Sequence, residues 1–298
     1  MNNFTHTPIK GIMPKKFLPK GIGLVLEGGG TRGFYSAGVF EAFMEMDIMF
    51  PYIIGVSAGA ANALSYVSGQ KGRNRQIVEH YVGNHRYVSR RNLIKHGSLF
   101  GYDFIFRTVP DKHIFWDREH FEKVDIQFIT GVTSCETGKA EWFGKNENKS
   151  GFEITRASCS VPMISKIVKY NGKPYLDGGT SIPIPIEKSI EDGNKFHVIV
   201  LTQNKGFIKP PFGHKKLVNL FYRKYPALAE TLLNRHEVYN RQVEFCEKLE
   251  SEGKAIIIRP LKPLTADRAT ADTEKLLALH DEGHEEGLEA IKKLGDII

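Results

Sequence analysis

Ser57 lies in Gly55-Val56-Ser57-Ala58-Gly59, between an apolar strand and a run of small residues. A serine with glycine two positions away on each side fits a strand-to-helix elbow, where side chains at those flanking positions would collide. The turn Gly28-Gly29-Gly30-Thr31-Arg32-Gly33 closes an earlier apolar strand. Its successive amide N–H groups, set at a helix N-terminus, could face a developing oxyanion. The same turn satisfies G-x-G-x-x-G, but a dinucleotide site wants an acidic residue about 20 positions on, at the end of the second strand. Here that strand ends in Gly55-Val56-Ser57 instead. Asp177, followed by Gly178 and Gly179, is either a turn residue or the general base that Ser57 otherwise lacks. A carboxyl with an ordinary pKa of about 4 suits that task only in a desolvated site that raises it.

These residues need elements to hold them. Ile22, Leu24, Val25 and Leu26 read as a strand, and Tyr35, Val39, Ala42, Phe43 and Met46 recur at helical spacing. Tyr52 to Val56 read as a second strand, followed by a helix of small residues (Ala60, Ala61, Ala63). Together these form a βαβ unit with two specialised turns at one end. Residues 77 to 122 read as helical and irregular, with Phe100, Tyr102, Phe104, Phe106, Phe115 and Trp116 either lining an acyl groove or filling a core. Hairpins are predicted for 126–143 around Glu136-Thr137-Gly138 and for 167–176 around Asn171-Gly172. Helices follow at 152–160 and 184–192, and a strand at 196–201. Beyond Pro210 and Pro211 the pattern is a long helix stopped by Gly253, a strand at 255–258 and a last helix at 273–294.

The chain has 298 residues and a formal net charge of +7. The charge is concentrated in residues 71–96 and 205–224, and such segments attract anionic surfaces or are simply solvated faces. No nucleic-acid-binding motif accompanies them. In 205–224, Phe207, Ile208, Phe212, Leu217, Leu220 and Phe221 interleave with six cations, the pattern of a segment docking on anionic membrane. No apolar stretch is long enough to span a bilayer, and the first 20 residues lack the apolar core of a signal peptide. The expected location is cytoplasmic, with peripheral membrane contact. Cys135, Cys159 and Cys246 are odd in number and far apart, which fits reduced thiols. His280 and His284 sit four apart on the last helix, a spacing that can bind zinc, but Asp281 stands where a metalloprotease pattern has glutamate, and a polar helix face is the expectation.

Taken together, the turn Gly28 to Gly33, the elbow Gly55 to Gly59 and Asp177 to Gly179 resemble the three motifs of the patatin-like phospholipase family, in order. The resemblance implies a three-layer α/β/α fold around a mostly parallel sheet, with residues 22–202 as the patatin-like domain. Residues 1–21 would precede it, and 203–298 would form a mainly helical extension packed on it. It further implies a Ser57–Asp177 dyad without histidine, an oxyanion hole at Gly28, Gly29 and Gly30 with Arg32 nearby, and hydrolysis of a lipid ester through an acyl-enzyme. No cofactor or metal enters this expectation, and nothing in the sequence sets an oligomeric state. A catalytically silent protein that binds acyl chains or membranes on the same fold is the alternative. One departure is Pro183, where the family often has asparagine six positions after the aspartate.

Overall fold

The computed structural model describes residues 9–148 and 152–295; residues 1–8 of the expected N-terminal extension lie outside the described residues. Eight strands form one sheet: β1 (Ile22–Leu26), β2 (Tyr52–Val56), β3 (Gln127–Ser134), β4 (Ala140–Phe143), β5 (Val168–Tyr170), β6 (Lys173–Asp177), β7 (Phe196–Val200) and β8 (Ala255–Ile258). Their spatial order is β8-β7-β1-β2-β3-β6-β5, with β4 also on β3. The five strands from β8 to β3 run parallel, while β4, β5 and β6 join through antiparallel pairs. The last two groups contain the hairpins predicted around Gly138 and Gly172, both of which adopt the positive φ that their turns require.

Parallel strands buried on both faces must be apolar throughout, and the side-chain period of two divides them between two cores. Leu24, Leu26, Ile53, Val198 and Val200 enter one core, and Val25, Ile54 and Ile199 enter the other. The first core lies under α1 (Phe34–Glu45), α2 (Ala58–Val67) and the C-terminal helix, while the second is covered by α4 (Ile186–Glu191) and the long helix α6 (Pro226–Ser251). Between these in sequence come α3 (Glu153–Ser158) and α5 (Lys215–Phe221), and the chain's last helix is α7 (Thr273–Gly295). This is a three-layer α/β/α architecture around a central, mostly parallel sheet.

α7 approaches α1 until their backbones touch. A Cβ added at Gly283 would stand 2.1 Å from the Tyr35 carbonyl oxygen, and one at Gly38 would stand 1.8 Å from that of His280. The extension also contributes β8, which pairs with β7 from Ala255–His197 to Ile258–Val200.

One register detail decides where the chemistry sits. β2 runs parallel along β3 and stops with Val56 opposite Gly131, while β6 runs antiparallel and stops with Asp177 opposite Val132. Both Gly131 and Val132 also pair with β4, which must therefore occupy the other edge of β3. β2 and β6 thus share one edge and meet end to end.

Candidate active site

That head-on meeting delivers the residue after β2, Ser57, to the last residue of β6, Asp177. Ser57 has φ 53° and ψ −131°, a conformation that a β-carbon makes unfavourable and that surrounding contacts must hold. The flanking glycines permit it: a Cβ at Gly55 would lie 2.9 Å from the Ala60 nitrogen, and one at Gly59 would lie 2.6 Å from the Glu27 carbonyl oxygen. The Ser57 amide donates to Ser158 Oγ at 2.8 Å, and that hydroxyl donates to the Gly131 carbonyl at 2.6 Å. Ser158, at the end of α3, therefore fixes the elbow to β3. It stands in no recognisable motif, so the sequence carried no signal for it.

The Ser57 hydroxyl donates to Asp177 Oδ2 at 2.7 Å, with both side chains buried. Oδ1 accepts from the Gly179 amide at 2.8 Å. Burial raises the Asp177 pKa above the ordinary carboxyl value, and it outweighs the opposing effects of the Ser57 hydrogen bond, Arg235, the Gly179 amide and Arg268. Gly178 is required by space, because a Cβ there would stand 2.1 Å from the Gly131 carbonyl oxygen. Past Gly179 the loop is closed by Thr133, whose Oγ1 accepts from the Ser181 amide, and by Gln242 of α6, which accepts from Ile184 N at 2.9 Å. That tie holds the loop in which Pro183 departs from the family pattern.

The glycine turn lies against the elbow, since a Cβ at Gly28 would stand 2.8 Å from Ser57 Cβ. The Gly28 and Gly29 amides have no protein acceptor among the described residues, whereas Thr31 N donates to the Arg268 carbonyl at 3.0 Å. The Arg32 side chain is buried, it lines neither cavity that opens on Ser57, and the nearby charge that most favours its ionised form is Glu27. Glu27 Oε2 in turn accepts from Thr202 N at 2.6 Å, tying the start of the turn to the end of β7.

Two cavities open on Ser57. A narrow cleft of about 60 Å³ is lined by Phe34, Tyr87, Phe100, Tyr102, Ile105 and Phe106, and a second pocket, which reaches Phe152, shares Phe34, Tyr87, Ile105 and Phe106 with it. Part of the aromatic cluster therefore lines a groove, while Trp116 packs in the core against Phe121 and Phe152. On the other side is a wider cavity of about 270 Å³ bordered by the glycine turn, Asp177, Phe212, Leu232, Arg235 and Arg268. The two arginines come from the extension, and no local pattern in the sequence marks them. No histidine among the described residues lines either cavity. His197 is buried in β7 with its pKa pushed down to about 4 by burial, and His284 faces Glu45 across the α1–α7 contact at 3.1 Å. His280 lies beside Arg75 and Asp281, so this histidine pair is engaged in helix packing.

The basic segments divide on inspection. In 71–96, Arg73 is buried against the Ile114 and Phe115 carbonyls, Arg75 pairs with Glu79 and Asp281, and Lys71 lies 3.7 Å from Glu45. In 205–224, Lys209 is buried over the Tyr239 ring and Phe207 packs on the same ring, so neither belongs to the exposed face. Ile208, Phe212, Leu217, Leu220 and Phe221 are exposed beside the other cations.

A doubly covered α/β sheet with a serine at a strand-to-helix elbow places the chain among hydrolases built on that plan. Residues 24–189, more than half of the chain, match the family model described as patatin-like phospholipase, and the chain belongs to this family of carboxylic ester hydrolases. Residues 225–298 match a second model, described as a domain of unknown function. The chain is 25% identical to the uncharacterized protein YjjU of Escherichia coli K12, over 84% of this chain and 71% of that protein. It is 28% identical to the lysophospholipase nte1 of Emericella nidulans, covering 58% of this chain but only 12% of the much longer fungal protein. Among solved structures, VipD from Legionella pneumophila aligns with a TM-score of 0.46 and 12% identity, over 98% of this chain and 72% of that one.

Proposed function

We propose that the protein hydrolyses a fatty-acyl ester of a lipid through an acyl-enzyme on Ser57, with Asp177 as the base. The observation that carries this reading is the 2.7 Å hydrogen bond from the Ser57 hydroxyl to a buried carboxylate. Ser57 Oγ attacks the ester carbonyl carbon while Asp177 Oδ2 takes its proton. Negative charge then develops on the carbonyl oxygen, toward the unengaged Gly28 and Gly29 amides. The protonated Asp177 gives its proton to the departing alcohol oxygen. Water next attacks the acyl carbon, Asp177 accepts its proton, and Ser57 leaves protonated as the fatty acid departs. The aromatic cleft takes the acyl chain, and the wider cavity takes the alcohol half.

The extension belongs to the same reading. The exposed apolar residues of 208–221 with Lys205, Lys215, Lys216, Arg223 and Lys224 form a face that docks on anionic phospholipid, and Phe212 joins that face to the rim of the wider cavity. Among the described residues no helix is long and apolar enough to cross a membrane. Rapid mixing with a p-nitrophenyl acyl ester tests the chemistry: one equivalent of chromophore should appear in a burst, and a labelled acyl group should be recovered on Ser57. An acylated protein in which the label sits elsewhere, or a Ser57→Ala variant that keeps the burst, would sink the proposal.

A further inference from the structure

A third cavity, of about 600 Å³, shares Phe100 and Tyr102 with the narrow cleft, but Ser57 is not part of its lining. Its walls are far more polar than the cleft's. Arg86, Arg156, Lys166 and Lys169 line it together with Asp103 and Glu153, four cations against two carboxylates. Arg156 Nη1 donates to Asp103 at 2.8 Å, which leaves three cations and Glu153. Among the described residues no carboxylate oxygen lies within 4.0 Å of Arg86, Lys166 or Lys169. Arg86 is instead held over the Phe104 ring, 4.3 Å from its centroid, a contact that leaves the guanidinium N–H groups open. The buried part of the lining is unsatisfied too. Ser98 is only 6% exposed, and neither its Oγ nor Arg156 Nε has a hydrogen-bond partner among the described residues.

Like charges around one cavity repel, and open polar groups in it cost free energy, so an anion that accepts from them relieves both. The cations stand on three separate segments, at 86, 156 and 166–169, which suits an anion with several charged oxygens spread over two centres, as in a diphosphate. The same walls reach the catalytic residues. Glu153 and Arg156 belong to α3, whose Ser158 accepts from the Ser57 amide. Ser160 also lines the cavity; its carbonyl accepts from Asp177 N at 2.9 Å, and its hydroxyl donates to the Arg156 carbonyl at 2.8 Å. Between them Cys159, which lines the narrow cleft, accepts from the Tyr102 hydroxyl through its carbonyl. One short run, residues 156–160, therefore contributes to the cavity wall and bonds to the backbones of both Ser57 and Asp177.

We infer that this cavity is a second ligand site, for a soluble molecule bearing a diphosphate group, and that its occupant raises acyl-ester turnover by bracing residues 156–160 and the wall formed by Phe100 and Tyr102. The effect on turnover rests on Ser57 as the nucleophile, whereas the binding does not.

Calorimetric titration of inorganic pyrophosphate into the Ser57→Ala protein, at constant ionic strength, measures binding apart from catalysis and should show one saturable site. Lys166→Glu combined with Lys169→Glu should weaken it about tenfold or more, the size expected for loss of charge-assisted contacts. Both lysines are exposed, so the change spares the core. Lys215→Glu combined with Lys216→Glu, on α5, should leave binding unchanged. Phosphatidylglycerol vesicles should not displace the pyrophosphate; displacement would assign the cavity to a lipid headgroup and overturn the soluble ligand. In the wild type, pyrophosphate should raise kcat/KM for a p-nitrophenyl acyl ester about fivefold or more, the lower end of ordinary coupling between sites, and sodium chloride at the same ionic strength should not. No saturable binding, binding that survives the Lys166 and Lys169 substitutions, or binding lost with those on α5 refutes the site. Binding without a rise in turnover refutes the coupling. A wild type that binds pyrophosphate yet hydrolyses no ester in its presence or absence refutes the Ser57 reading and leaves the ligand site standing.

Discussion

A hydroxyl becomes an effective nucleophile only when a base takes its proton as it attacks, and among the described residues Ser57 is hydrogen-bonded to a carboxylate and not to an imidazole. Ser57→Ala and Asp177→Asn should each lower kcat by about 10³-fold or more, as loss of a nucleophile or its base does elsewhere. Alanine at His197, His214, His236, His280 or His284 should leave kcat/KM within about tenfold, under about 1.4 kcal/mol. A histidine as essential as Ser57 in a folded variant would mean that Asp177 only orients. The raised Asp177 pKa carries two consequences of defined sign. The base form is lost as pH falls through that pKa, so the acidic limb of kcat/KM should lie above the ordinary carboxyl value of about 4. For stability, a folded pKa above the unfolded one gives a contribution that is full below the unfolded pKa and is lost as pH rises through the folded value. Ionising Asp177 is therefore a net cost to the fold. Asp177→Asn should melt at or above the wild-type Tm at pH 7, with the difference narrowing toward acid. A clear drop in Tm at pH 7 would show that Arg235 and Arg268 outweigh the burial.

At the scale of elements, helix propensity and packing make opposite predictions at Gly283. Alanine is favoured over glycine inside a helix by about 1 kcal/mol. At this position, however, its methyl would meet the Tyr35 carbonyl oxygen of α1 at 2.1 Å, a backbone atom that cannot rotate away. Packing should win, and Gly283→Ala should lower stability by about 1–3 kcal/mol in urea unfolding; an unchanged or raised midpoint would mean that the two helices separate freely. This contact also marks what the sequence could not show. The strands, the Asn171-Gly172 hairpin and the Ser57 elbow were legible because each depends on residues close in sequence: apolar runs, turn glycines, small residues after the serine. The pairing of Ser57 with Asp177 could be anticipated from motif order, but its cause, two strands abutting on one edge of β3, is a long-range register. Ser158, Arg235 and Arg268 carry no local pattern and reach the site only through tertiary packing. Charge counting misread Arg73 and Lys209 for the related reason that a linear sum cannot tell a buried cation from an exposed one.

For the whole molecule, the extension completes the sheet with β8, covers α1 with α7 and supplies one wall of the wider cavity. A chain ending at residue 202 would leave β7 as an unpaired edge and expose the apolar face of α1, so it should aggregate or expose dye-binding surface instead of melting cooperatively. A truncated form with a sharp, reversible transition would refute that dependence. In the docking proposed above, the extension would also set the orientation of the protein on a lipid surface. Leu220, 66% exposed, and Phe221 lie on α5 with Lys215 and Lys216, so apolar burial and attraction to anionic headgroups act on the same face. Each cation near an anionic surface contributes about 1 kcal/mol, and the effect weakens within a Debye length as salt rises. Wild-type protein should therefore co-sediment with vesicles containing phosphatidylserine or phosphatidylglycerol more strongly than with neutral phosphatidylcholine vesicles, and salt should reduce the difference. Leu220→Asp combined with Phe221→Asp should abolish sedimentation while leaving turnover of a dissolved p-nitrophenyl ester within about twofold, because neither residue lines a cavity on Ser57. Equal binding to both vesicle types, or binding that survives the double substitution, would move the docking face away from α5.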